Sequence, residues 1–217
     1  MIAVVDYGMG NIHSVNKALQ LYGAQTLITN SPEVIASAQK CVLPGVGAFD
    51  DAMQELKKQN LIDCLREYLR LGKPLLGVCL GMQIFFEESE EAKVAKGLGF
   101  LKGKVKRFKS SDGFKVPHIG WNQLKKIQNP SLAGRQAKSK TQNECPLLKD
   151  VPDNSFVYFC HSYYPEPAET ETVAATTAYG MDFASLVWKG SFYGVQFHPE
   201  KSQAVGLKMF ENFVRHC

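Results

Sequence analysis

The chain has 217 residues, of which 45% are hydrophobic, 11% aromatic and 21% charged, with a formal net charge of +4, the proportions of one globular domain with a substantial core. That charge is too small for a nucleic-acid binder, and the dense basic stretch "KGKVKRFK" (102–109) alternates around Val105 and Phe108 as a surface strand does. No apolar run approaches the roughly 20 residues of a membrane span, "MIAVVDYG" has no basic signal region, and six cysteines without CxxC spacing predict reduced thiols in a cytoplasmic protein.

In chain order, "IAVVD" (2–6) is a β-branched strand followed by the glycine-rich turn "YGMGN". Val15, Ala18, Leu19 and Tyr22 recur at helical spacing, and Gly23 closes that helix. "AQTLIT" (24–29) and "KCVLPG" (40–45) read as the next strands, and 49–71 as one helix ending at Gly72. "KPLLGV" (73–78) is an apolar strand of the buried parallel kind. Strand and helix alternating at this spacing predict an α/β fold with a doubly wound mixed sheet, a largely parallel core and helices on both faces. The second half offers short alternating segments, "GKVKRF", "QLKKI", "SFVYFC", "TVAATT", "FASLVW" and "FYGVQF", expected as antiparallel additions to the same sheet. A final helix carries Met209, Phe210, Phe213 and Val214 as its apolar stripe. The polar, pattern-free stretch 128–146 is expected to be a flexible insertion within a single domain spanning 1–217.

"LLGVCLGMQIFFEES" (75–89) puts Cys79 between a strand end and a helix start, with Gly77 and Gly81 on either side. That is the pattern of a nucleophile elbow, in which the side chain stands above the carboxyl edge of the sheet. A helix N-terminus beneath it would favour thiolate, and the Leu80 N–H would face an oxyanion formed on an attacked carbonyl. Cys41, Cys64 and Cys160 sit inside apolar patterns and are expected to be buried small hydrophobes. A thiol nucleophile needs a base, and the base an orienter. Of five histidines, His13 and His216 are expected at the surface, and His118 and His161 adjoin strands. His198, in "FYGVQFHPEKS", follows a strand and has Glu200 two residues on, a weak signal by spacing alone. The two glycines of "LPGVGAF" (43–49) could aim a second backbone donor at the same oxyanion or simply make a turn. No zinc-like spacing, complete GxGxxG or P-loop is present, so neither metal nor cofactor is expected.

"PGVGAF", "GVCLGMQ", "HSYY" and "QFHPEKS", in that order, resemble the triad-type class I glutamine amidotransferases. "DYGMGN", "KVPHIGWN" and the intact "HPEKS" narrow the resemblance, over nearly the whole chain, to the glutaminase subunits of imidazole glycerol phosphate synthase. The resemblance implies a catalytic triad of Cys79, His198 and Glu200, with an oxyanion hole from Leu80 and from Val46 or Gly47. It implies glutamine contacts at Gly45, Gly47, Gln83, Glu91, His161, Ser162 and Tyr163; from its acidic surroundings alone, Glu91 would be an exposed helix end. It also implies a heterodimer with a (β/α) barrel cyclase, docked around Asn11, Trp121, Tyr158 and Lys201, which takes the ammonia without release. By themselves Trp121 and Tyr158 would be core residues. The same motifs would suit a paralogous synthase that amidinates a surface sugar.

Overall fold

The computed structural model describes residues 1–110, 114–127 and 144–217. Nine strands form one sheet. Its parallel half is built from β1 (Ile2–Val5), β2 (Thr26–Thr29), β3 (Lys40–Gly45), β4 (Leu75–Cys79) and β12 (Phe192–Val195), ordered β2-β1-β3-β4-β12. Antiparallel additions follow in the order β11 (Asp182–Lys189), β10 (Val173–Ala178), β7 (His118–Lys126) and β8 (Ser155–His161). The expected mixed sheet is therefore present, with one exception. "GKVKRF" lies in β6 (Leu101–Arg107), which joins β5 (Phe86–Ser89) and β9 (Tyr163–Pro167) in a separate three-stranded sheet.

Strand alternation divides the core in two. Ile2, Val4, Leu76 and Val78 face one side with α1 (Ile12–Gln20) and α6 (Gln203–His216). Ala3, Val5 and Leu75 face the other with α2 (Pro32–Ser37), α3 (Phe49–Lys58) and α4 (Leu61–Arg70). The single helix expected over 49–71 is broken between α3 and α4, where Asn60 takes the left-handed conformation at φ 59°. Asparagine tolerates that region better than most residues, and helical periodicity on both sides hides the break. Gly23 and Gly72 close their helices at φ 77° and 69°, as expected.

Of the expected insertion, 128–143 lies outside the described residues. Its last residues are anchored, with Cys145 buried and Pro146 opening a 3-10 turn. All six cysteines are free thiols. Cys41 is buried and Cys64 half-buried, but Cys160 is exposed, contrary to expectation. It lies on the outward face of β8, while its neighbours Phe159 and His161 point inward. Among the described residues no helix is long and apolar enough to cross a membrane.

Candidate active site

β4 lies between two parallel neighbours, and its last residue, Cys79, has φ 55° and ψ −111° before α5 (Leu80–Gln83) begins. A cysteine held at positive φ is a strained elbow, supported by close packing on both sides. A Cβ on Gly81 would run into the Leu43 carbonyl oxygen, and one on Gly77 into the Phe85 ring. These glycines let α5 lie against the sheet. α5 is only one turn long, however, and β5 starts soon after it. The dipole of one turn is slight, so the expected stabilisation of a thiolate by a helix N-terminus has little basis here.

β12 runs parallel beside β4, with Val195 opposite Val78. Its extension therefore carries His198 to the same edge as Cys79. The His198 Nδ1 hydrogen-bonds Glu200 Oε1 at 2.9 Å, and both side chains are almost wholly buried. This leaves Nε2 for the Cys79 thiol, which also hydrogen-bonds the ring. Burial by itself would lower the His198 pKa, but the Cys79 sulfur and the Glu200 carboxylate together push it up to about 10. Backbone contacts fix the base. Its N–H donates to the Tyr158 carbonyl at 2.9 Å, and its own carbonyl accepts from Ser202 Oγ at 2.6 Å. Asn11 Nδ2 also reaches Glu200 Oε1, at 3.4 Å, a contact to the carboxylate that sequence reading missed.

Cys79 and His198 open into a cavity of about 340 Å³. Val46, Gly47 and Leu80 line one part of it, and Gln83, Glu91, His161, Ser162 and Tyr163 another. Lys201 lines it too, so ten of the expected site residues are gathered with the thiol. Gly45 does not line the cavity. It pairs with Cys79 across the sheet, and a Cβ there would lie 2.6 Å from Tyr7 Oη and 2.7 Å from Gly81 N. Close packing accounts for that glycine. Glu91 is a half-buried turn residue rather than a helix end, and its Oε2 accepts from the Phe49 N–H at 3.1 Å. Burial raises its pKa, the Phe49 N–H opposes this, and Asp50 and Asp51 add to the rise.

His118 and His161 face each other across β7 and β8, with Nδ1 of the first 3.2 Å from Nε2 of the second. Burial lowers their pKa values to about 4 and about 3, so both rings are neutral at ordinary pH. The opposite face of the same strands is open. Trp121 is 45% exposed and packs edge-on against Tyr158 at 6.0 Å, with Lys201 Nζ 5.7 Å from the Tyr158 ring centre. Trp121 is therefore no core residue, and Ile119 and Phe156 are exposed on the same strands. Among the described residues no group of His, Cys, Asp or Glu is arranged to hold a metal.

The profile of the family described as "Glutamine amidotransferase class-I" matches residues 3–217. The chain is 45% identical to an "Imidazole glycerol phosphate synthase subunit HisH" from Bacillus cereus, over 98% of this chain and 93% of that protein. It is 46% identical to a protein of the same name from Acaryochloris marina, over 99% and 94%. A solved glutamine amidotransferase superposes with a TM-score of 0.69 at 18% identity, covering 97% of each chain. The elbow cysteine, the His–Glu pair and the two-sided α/β sheet thus agree with the sequence match, and the chain belongs to the class-I glutamine amidotransferases.

Proposed function

We propose that this chain is the glutaminase subunit of an imidazole glycerol phosphate synthase, acting in the cytoplasm in histidine biosynthesis. The observation that carries the reading is the Cys79–His198–Glu200 constellation, with its 2.9 Å His–Glu bond, opening into a cavity of about 340 Å³. Glutamine enters with its side-chain carboxamide over Cys79 and its amino-acid end toward Gln83, Glu91 and the 161–163 backbone. The half-buried Glu91 carboxylate, crowded by Asp50 and Asp51, is suited to an ammonium group.

Cys79 Sγ attacks the carboxamide carbon as thiolate, with its proton on His198 Nε2. The C=O pair moves onto oxygen, and the Leu80 N–H, free because Leu80 opens α5, donates to that oxyanion together with an N–H from Val46 or Gly47. Collapse breaks the C–N bond, and His198 gives its proton to the leaving nitrogen, which departs as ammonia. A water then loses a proton to His198 and attacks the γ-glutamyl thioester. Glutamate leaves, and sulfur and imidazole return to their starting state. Glu200 holds His198 in the tautomer that keeps Nε2 toward the sulfur throughout.

Ammonia passes to a (β/α) barrel cyclase, which forms imidazole glycerol phosphate and aminoimidazole carboxamide ribotide. The exposed Trp121–Tyr158–Lys201 cluster, with Asn11 behind it on Glu200, is the docking face in this reading. Aromatic side chains beside a cation are typical anchors of a protein interface. The names of the relatives favour the histidine pathway over amidination of a surface sugar. The test is glutamate release by the chain alone and with a barrel cyclase carrying its nucleotide ligand. A large rise with the liganded cyclase supports the reading, and indifference to it in an otherwise reactive site overturns it.

A further inference from the structure

Gln196 is wholly buried beside the reactive sulfur, with its Nε2 3.6 Å from Cys79 Sγ. Which end of this amide faces the sulfur is fixed by a chain of hydrogen bonds that starts at a backbone carbonyl. The Tyr163 carbonyl can only accept, and it takes Gln83 Nε2 at 2.9 Å and His161 Nδ1 at 2.7 Å. Gln83 Nε2 also lies 3.0 Å from Gln196, so the Gln196 atom there is the oxygen. That leaves the Gln196 nitrogen, a donor, toward the sulfur. The His161 tautomer is set by the same carbonyl, so its Nε2 accepts from His118 Nδ1, and His118 Nε2 in turn accepts from Asn122 Nδ2 at 3.4 Å. Both rings stay neutral at ordinary pH, so the polarity does not reverse.

With α5 only one turn long, the helix offers the sulfur little, and the Gln196 amide stands as a second donor beside the His198 ring. We propose that Gln196 is a further catalytic residue, whose fixed amide N–H stabilises the Cys79 thiolate and holds the sulfur on the cavity side of the elbow. This rests on the reading of Cys79 as the nucleophile. The Gln196 oxygen is accounted for as the acceptor of Gln83, and its nitrogen is the end that faces Cys79 Sγ. In the free thiol the same contact is a weak one, so the amide favours the charged form.

The test is the rate of Cys79 alkylation by iodoacetamide between about pH 6 and pH 10, followed by mass spectrometry in the full chain. Gln196→Met removes the donor. Gln196→Glu keeps an acceptor for Gln83, and once its buried carboxyl ionises it turns an acceptor toward the sulfur. Near pH 7 the Met variant is expected to alkylate Cys79 about tenfold more slowly than wild type, as loss of one charge-assisted hydrogen bond implies. The Met variant's rate should recover as the pH rises, whereas the Glu variant, ionised there, should stay slow. Cys64, half-buried on α4 and away from the cavity, serves as internal reference and should not change. Wild-type profiles in both variants, with unchanged circular dichroism, would overturn the proposal. If the Met variant does not fold, Gln196→Leu, which also lacks the donor, takes its place. Because alkylation needs neither glutamine nor a cyclase, failure of the glutaminase reading would appear separately, as absent turnover in wild type.

Discussion

The backbone N–H of His198 donates to the Tyr158 carbonyl at 2.9 Å, while the Tyr158 ring stands at the open face against Trp121. The strand that presents the proposed docking face is therefore bonded directly to the base. Ser202 adds a second tie, since its Oγ accepts from the Tyr158 N–H at 3.0 Å and donates to the His198 carbonyl at 2.6 Å. A displacement of β8 on docking would be felt at the imidazole without any intermediate side chain. Ser202→Ala should accordingly weaken the rise in glutaminase rate caused by the liganded cyclase more than it weakens binding of the cyclase, measured by comparing fold-activation with Kd.

Glu200→Gln tests the orienter. The amide keeps the shape but loses the charge that helps hold His198 in its protonated form. We expect kcat in the complex to fall by about 10²–10⁴-fold, the range of general acid–base contributions, with a much smaller change in KM. Steady-state glutamate production measures both.

The His198 pKa sets a pH window. Its folded value, about 10, lies above the ordinary 6.5. Folding therefore favours the proton, and the resulting stabilisation is full below about pH 6.5 and is lost as pH rises toward about 10. Urea unfolding of wild type and of His198→Gln should show a stability difference that shrinks between these limits. A difference that grew with pH would contradict the assignment of the charge.

Gly81→Ala places a methyl group against the Leu43 carbonyl oxygen, a backbone atom in the centre of the sheet. Neither side can swing away, so the cost should be about 3 kcal/mol or more, at the upper end of overpacking. Denaturant melts would show it. Gly8→Ala is the contrast, with positive φ but nothing within 4 Å of an added Cβ, and should cost only the conformational penalty of about 1 kcal/mol.

Trp121→Ala separates docking from folding. The side chain is 45% exposed, so chain stability should change little. Cyclase binding should weaken about 30-fold or more if Trp121 is an anchor, the 2 kcal/mol that marks an interface hot spot. Titration calorimetry with the cyclase decides this.

Much of this was legible because the motifs sit at strand ends. "VCLG" shows the elbow, since glycines on both sides of a cysteine serve a tight turn and close packing, and β4 was readable as a buried parallel strand. The break at Asn60 was hidden because α3 and α4 both keep helical periodicity. The second sheet was hidden because alternation reveals a strand but not its partner. Gln196 went unnoticed although the signal existed, for strand alternation puts it on the same side as His198, two residues on. Nothing in the sequence shows that Asn11 would meet Glu200, a contact across 189 positions made by the glycine-rich turn after β1.

The most direct test of the account is to quench the chain with glutamine and liganded cyclase in acid and weigh the peptide carrying Cys79. A γ-glutamyl adduct on that peptide, absent from Cys79→Ala, is the predicted result. Glutamate production without an adduct at Cys79, or at an undiminished rate in Cys79→Ala, would contradict the central claim that this sulfur is the nucleophile.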